Sequence, residues 1–154
     1  MEKSLLLFVI FFWISTGKGL AQKIWVHQNQ DLEFGQFIID QGSSAQLKIS
    51  ADGQRKALSG IYLMPGNFHP AAFTISTDSH TPIKVKVESE SRGMINGAGE
   101  NIILTPETSF TEYWVIQQGF PVQVYIGGTL DILDSQVTGN FSADIVIKVS
   151  LYND

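Results

Sequence analysis

The stretch Gly139-Asn-Phe-Ser-Ala-Asp-Ile-Val-Ile-Lys-Val-Ser-Leu-Tyr152 decides how the chain folds. From Phe141 onward every second residue is apolar: Phe141, Ala143, Ile145, Ile147, Val149 and Leu151. Between them stand Ser142, Asp144, Val146, Lys148, Ser150 and Tyr152. A helix scatters such a set around its axis, whereas a strand gathers it on one face by its period of two. At about 3.3 Å per residue the run reaches roughly 40 Å, so its backbone needs a partner along most of that length. The pattern predicts the closing strand of an antiparallel β-sandwich, dry on one face and mostly wet on the other.

The same period recurs upstream. In Pro82-Ile-Lys-Val-Lys-Val-Glu88, Ile83, Val85 and Val87 share a face against Lys84, Lys86 and Glu88, and Ala45-Gln-Leu-Lys-Ile-Ser50 alternates as cleanly. Further strands are predicted at Lys23-Ile-Trp-Val-His27, over 32–39, at Gly60-Ile-Tyr-Leu-Met64 and Ala72-Phe-Thr-Ile-Ser76, and over 102–104, 113–116, 122–126 and 129–133. Gly35 interrupts Leu32-Glu-Phe-Gly-Gln-Phe37, which predicts a kink with Phe34 and Phe37 on the same interior. Asp40 to Ser44 and Ala51-Asp-Gly-Gln54 read as turns, and the glycine-rich segment Ser89 to Glu100 as a mobile loop. About nine short strands, spaced by turns, with no sustained helical period, predict one all-β domain.

The amino terminus reads differently. Lys3 precedes an uncharged apolar run from Leu5 to Ile14, followed by small residues up to Ala21. This three-part layout predicts a secretory signal helix over residues 1–21, cleaved before Gln22, with residues 22–154 as the exported domain. The apolar run is too short to span about 30 Å of hydrocarbon as an anchor, and no second such run follows, so no membrane span is expected after cleavage. Removing Lys3, Lys18 and Glu2 leaves the charge one unit more negative than the −5 of the full chain. Such a domain has no electrostatic reason to seek nucleic acid. With no cysteine in the chain, stability must come from the core and the sheets.

No residue pattern points to catalysis or to a cofactor. His27, His69 and His80 are widely separated, and zinc requires three or four convergent donors. Asp131, Asp134 and Asp144 lack the dense spacing of a calcium loop and the paired geometry of a glycosidase. No Gly-x-Ser-x-Gly elbow occurs, and Gly97-Ala-Gly99 is a lone fragment of a phosphate loop. Asn140-Phe-Ser142 fits a glycan acceptor pattern without further support. The expectation is therefore no metal, no cofactor and no enzyme.

Aromatic residues carry more information. Tyr113 and Trp114 are adjacent, so within a strand they face opposite ways, and one of them is a candidate exposed aromatic for stacking on sugar or seating in a partner. Each aromatic also fits the plainer role of packing in the core.

Leu32-Glu-Phe-Gly35, Gly60 with its apolar run, Gly127-Gly-Thr-Leu130 and Gly139-Asn-Phe-Ser142 leading to Tyr152 stand in an order that resembles the bacterial secreted family catalogued as domain of unknown function 4402. The resemblance covers nearly all of residues 24 to 152. It implies an immunoglobulin-like sandwich related to pilins and spore coat U domains, and a non-enzymatic surface or fibre component. Only Gln22 to Asp31 precede the Leu-x-Phe-Gly motif, fewer residues than is usual in that family. From this follows the sharpest expectation: Ile24, Trp25 and Val26 form a strand that either closes its own sheet or adds to the edge of a neighbouring subunit. Partners would be surface or fibre subunits, or glycans if the domain is instead a carbohydrate-binding module using an exposed aromatic.

Overall fold

A computed structural model describes residues 22–40, 44–91, 94–95, 101–109, 111–132, 142–143 and 145–153. The expected signal segment lies outside the described residues, as do Gly97, Gly99, Asp134, Asn140, Phe141 and Asp144. Every element among the described residues is a strand. In chain order these are β1 (Ile24–Gln30), β2 (Leu32–Glu33), β3 (Phe37–Ile39), β4 (Ala45–Ile49), β5 (Arg55–Ser59), β6 (Ile61–Leu63) and β7 (Ala71–Thr77). They continue as β8 (Ile83–Ser91), β9 (Met94–Ile95), β10 (Asn101–Thr108), β11 (Trp114–Ile116), β12 (Val122–Ile132), β13 (Ser142–Ala143) and β14 (Ile145–Leu151).

All pairings are antiparallel. The larger sheet, of seven strands, runs β1-β7-β12-β10-β9, with β4 also on β12 and β5 on β4. The smaller runs β11-β8-β14, and two short ribbons pair β13 with β2 and β3 with β6. The apolar sets of both sheets meet in one core. Leu47, Ile49, Phe73, Ile75, Val124, Ile126 and Leu130 come from the larger sheet, and Val85, Val87, Ile116 and Ile145 from the smaller. The chain is thus an all-β sandwich, as the alternation predicts, and β14 pairs with β8 along its whole length, from Ile145 opposite Ser91 to Leu151 opposite Val85.

Three expectations need correction. Residues 122–126 and 129–133 are not two strands: β12 runs unbroken through Gly127 and Gly128. Those glycines answer a close approach, not a turn, because a Cβ at Gly127 would stand 2.1 Å from the Ile49 carbonyl oxygen. There β12 exchanges one neighbour for another, with β7 opposite Val122 to Ile126 and β4 opposite Gly128 to Ile132. Second, part of the expected loop after Ser89 is strand. Pairing with β14 carries β8 to Ser91, and Met94–Ile95 pairs with the start of β10. Third, the described residues form fourteen strands and not about nine; β5 is one of the additional ones, since Arg55-Lys-Ala-Leu-Ser59 shows no apolar alternation and its own residues are exposed or half-exposed throughout.

The kink at Gly35 is present. Gly35 has φ +69°, and Phe34 and Phe37 on either side are both buried.

Candidate sheet-edge site

β1 lies on β7 in register from Ile24 opposite Thr77 to Gln30 opposite Ala72, with a bulge between Gln28 and Gln30. It ends the larger sheet, so among the described residues no strand pairs with its outer edge. Burial is slight. Ile24 is half-buried against the core, whereas Trp25 is 49% and Val26 43% exposed. An edge strand with little buried side chain is held mainly by its ladder hydrogen bonds and presents a second, unused row of them.

Polar contacts pin both of its ends. The Lys23 N–H donates to Asp78 Oδ1 at 2.9 Å, and Gln30 Nε2 donates to the Pro70 carbonyl at 3.0 Å. At the bulge, Thr74 Oγ1 donates to Asn29 Oδ1 at 3.1 Å. Just past β1, Asp31 Oδ1 accepts from Gln28 Nε2 at 2.7 Å. His69 brackets the following residues, with Nδ1 2.9 Å from the Asp31 carbonyl oxygen and Nε2 3.1 Å from Glu33 Oε2. The main chains of Glu33 and His69 exchange hydrogen bonds of 3.0 and 2.9 Å. β2 is thereby tied to the segment leading into β7 on one side and to β13 on the other, with Glu33 opposite Ser142 and Leu32 opposite Ala143.

The other aromatic candidates sit elsewhere. Trp114, opposite Val85 on β8, is half-buried and packs on the core. Tyr113, just before β11, is also half-buried; its ring lies 5.1 Å from that of Tyr152. Lys84 Nζ stands 4.7 Å above the Tyr113 ring and 5.7 Å above that of Tyr152, whose hydroxyl donates to Glu112 Oε1. Next to Glu112 opens a hollow of about 630 Å³ lined by Pro106, Glu107, Thr108, Ser109 and Thr111. Lys48 pairs with Glu107 there.

A second apolar exposure was not anticipated. On the β3–β6 ribbon Ile38 and Tyr62 stand opposite each other and both are exposed, and Leu63, Met64 and Phe68 are exposed nearby. Arg55 staples this region. Its Nη1 donates to the Met64 carbonyl at 3.0 Å, its Nη2 to the Gln36 carbonyl, and the guanidinium lies 5.2 Å from the Phe68 ring centre. Burial pushes the Arg55 guanidinium below its ordinary value. The one sequence signal was the adjacent pair Ile38-Ile39, of which a strand can bury only one.

Among the described residues no group of three or more His, Cys, Asp or Glu converges as a metal site, and no helix is long and apolar enough to cross a membrane. His27 and His80 are exposed and distant from His69 in the chain, and Asp131 accepts from Gln46 Nε2 at the surface.

No curated protein and no solved structure matches the chain. A family model does, over residues 24–151, the span from β1 to the end of β14. The chain belongs to the family described as Domain of unknown function (DUF4402).

Proposed function

We propose that this is an exported, non-enzymatic structural or adhesive surface protein whose units associate through sheet edges. The observation that carries the reading is β1: seven residues laid on β7, with Trp25 and Val26 exposed and the outer edge unpaired among the described residues. A partner strand added there gains main-chain hydrogen bonds and covers both side chains. The signal-like amino terminus supports export.

Sedimentation of the purified protein across a concentration series tests it. Association is expected to rise with concentration, and W25K/V26K is expected to weaken it at least about tenfold by placing charge on a contact edge. A monomer at all concentrations, or association untouched by W25K/V26K, contradicts the reading.

A second reading is a carbohydrate-binding module. It draws on the exposed Trp25 and on the Tyr113–Tyr152 pair beside Glu112 and the hollow next to it. A glycan array distinguishes it: sugar binding lost on Trp25→Ala or Tyr113→Ala supports this reading, and no bound glycan removes it.

A further inference from the structure

The ladder between β2 and β13 stops short of what its register allows. With Glu33 opposite Ser142 and Leu32 opposite Ala143, its continuation would set Gln30 opposite Ile145, Gln28 opposite Ile147, Val26 opposite Val149 and Ile24 opposite Leu151. That is the span of β14, whose outer edge carries no strand among the described residues because the smaller sheet ends there. The chain instead passes at Asp31 from β7 to the β13 ribbon, Gln30 lying opposite Ala72 and Leu32 opposite Ala143. Asp31 therefore stands between the end of the larger sheet and the ribbon that precedes β14 in the chain, and the sheets of a sandwich stand only about 10 Å apart.

We infer that residues 24–30 have a second seat within their own molecule, on the outer edge of β14, reached by rotation about Asp31. Parity permits it. Ile24, Val26 and Gln28 lie opposite Thr77, Ile75 and Phe73 on β7, all buried, and would lie opposite Leu151, Val149 and Ile147 on β14. The same side chains face the core from either edge, so no register slip is needed. The ladders are equally long, and Leu151, 53% exposed, would gain cover from Ile24.

Contacts at Asp31 favour the seat on β7. Its carboxylate accepts from Gln28 Nε2 at 2.7 Å, and its carbonyl oxygen lies 2.9 Å from His69 Nδ1. Moving the strand would open the β7 edge, where Phe73 and Ile75 are buried, and close that of β14. This rests on the proposed association through edges only in deciding which edge a partner meets.

Because the chain lacks cysteine, engineered pairs report each seat. Residues directly opposite in a ladder have the Cα spacing a disulfide needs. W25C/S76C reports the β7 seat and W25C/S150C the β14 seat, each at high dilution and each with and without Asp31→Asn in the background. W25C/S76C is expected to close in both backgrounds, showing that the fold is intact. W25C/S150C is expected to close within one molecule more slowly, and D31N to speed that closure about two- to fivefold by weakening the charge-assisted hydrogen bond from Gln28. Thiols at 25 and 150 that stay free in both backgrounds, or that join only between molecules, overturn the inference. Dilution separates this result from association: free thiols leave edge association standing, and a strictly monomeric protein leaves the second seat standing.

Discussion

Gly127 shows how a single missing side chain sets the architecture. A Cβ there would also meet the Ser50 carbonyl carbon at 2.7 Å and the Ala51 nitrogen at 2.9 Å, so main chain, not a flexible side chain, would have to move. Gly127→Ala is expected to cost about 3 kcal/mol or more, read as a lower denaturant midpoint. Gly35 combines φ +69° with a Cβ position 2.5 Å from the Asn67 carbonyl oxygen, so two glycines of the family motifs have backbone reasons. Asp52 gives a pH signature. The Ser50 hydroxyl, and after it the Gln54 N–H, hold its carboxyl below the ordinary value. Its folded pKa being depressed, its contribution is complete above the ordinary carboxylate pKa of about 4 and is lost as pH falls through the lower folded value. Protection of the Gln54 amide, relative to an unstructured peptide at the same pH, should fall in that acid window; unchanged protection would remove the hydrogen bonds as the cause.

Among the elements, β2 and β1 make a contrast that mutation can measure. Leu32 is fully buried between the two sheets, and Leu32→Ala is expected to cost about 3 kcal/mol, the sum of lost transfer and a cavity. Val26→Ala, two rungs from the end of β1 and 43% exposed, is expected to cost less than about 1 kcal/mol in the same denaturant titration. Equal losses would mean that β1 is a structural closing strand and not a lightly held edge. The difference between elements also explains what the sequence made legible. Alternation marked β8 and β14 because each has one wet face, as Lys86, Glu88 and Lys148 show. It failed at β5, exposed or half-exposed throughout, and at Gly127-Gly128, where composition suggests a turn but the contact is with another strand.

For the whole molecule, burial in one core joins strands far apart in sequence, and that is where local pattern ran out. The edge residues Ile24, Trp25 and Val26 were visible as a short extended segment because their pattern is local. The fate of Trp114 was not, since it depends on β8, about thirty residues earlier in the chain. The apolar ribbon of Ile38 and Tyr62 likewise appears only when two distant segments pair. One core shared by two sheets leaves β1 at the end of the larger sheet and β14 at the end of the smaller.

Amide hydrogen exchange of β1, followed residue by residue in dilute and concentrated protein, tests association through this edge most directly. In dilute protein the amides of residues 24–30 that bond to β7 should be protected and the alternate, outward ones should exchange freely. On concentration the outward amides should become protected together with the loss of exposure at Trp25. Larger particles forming while those outward amides continue to exchange freely would contradict it.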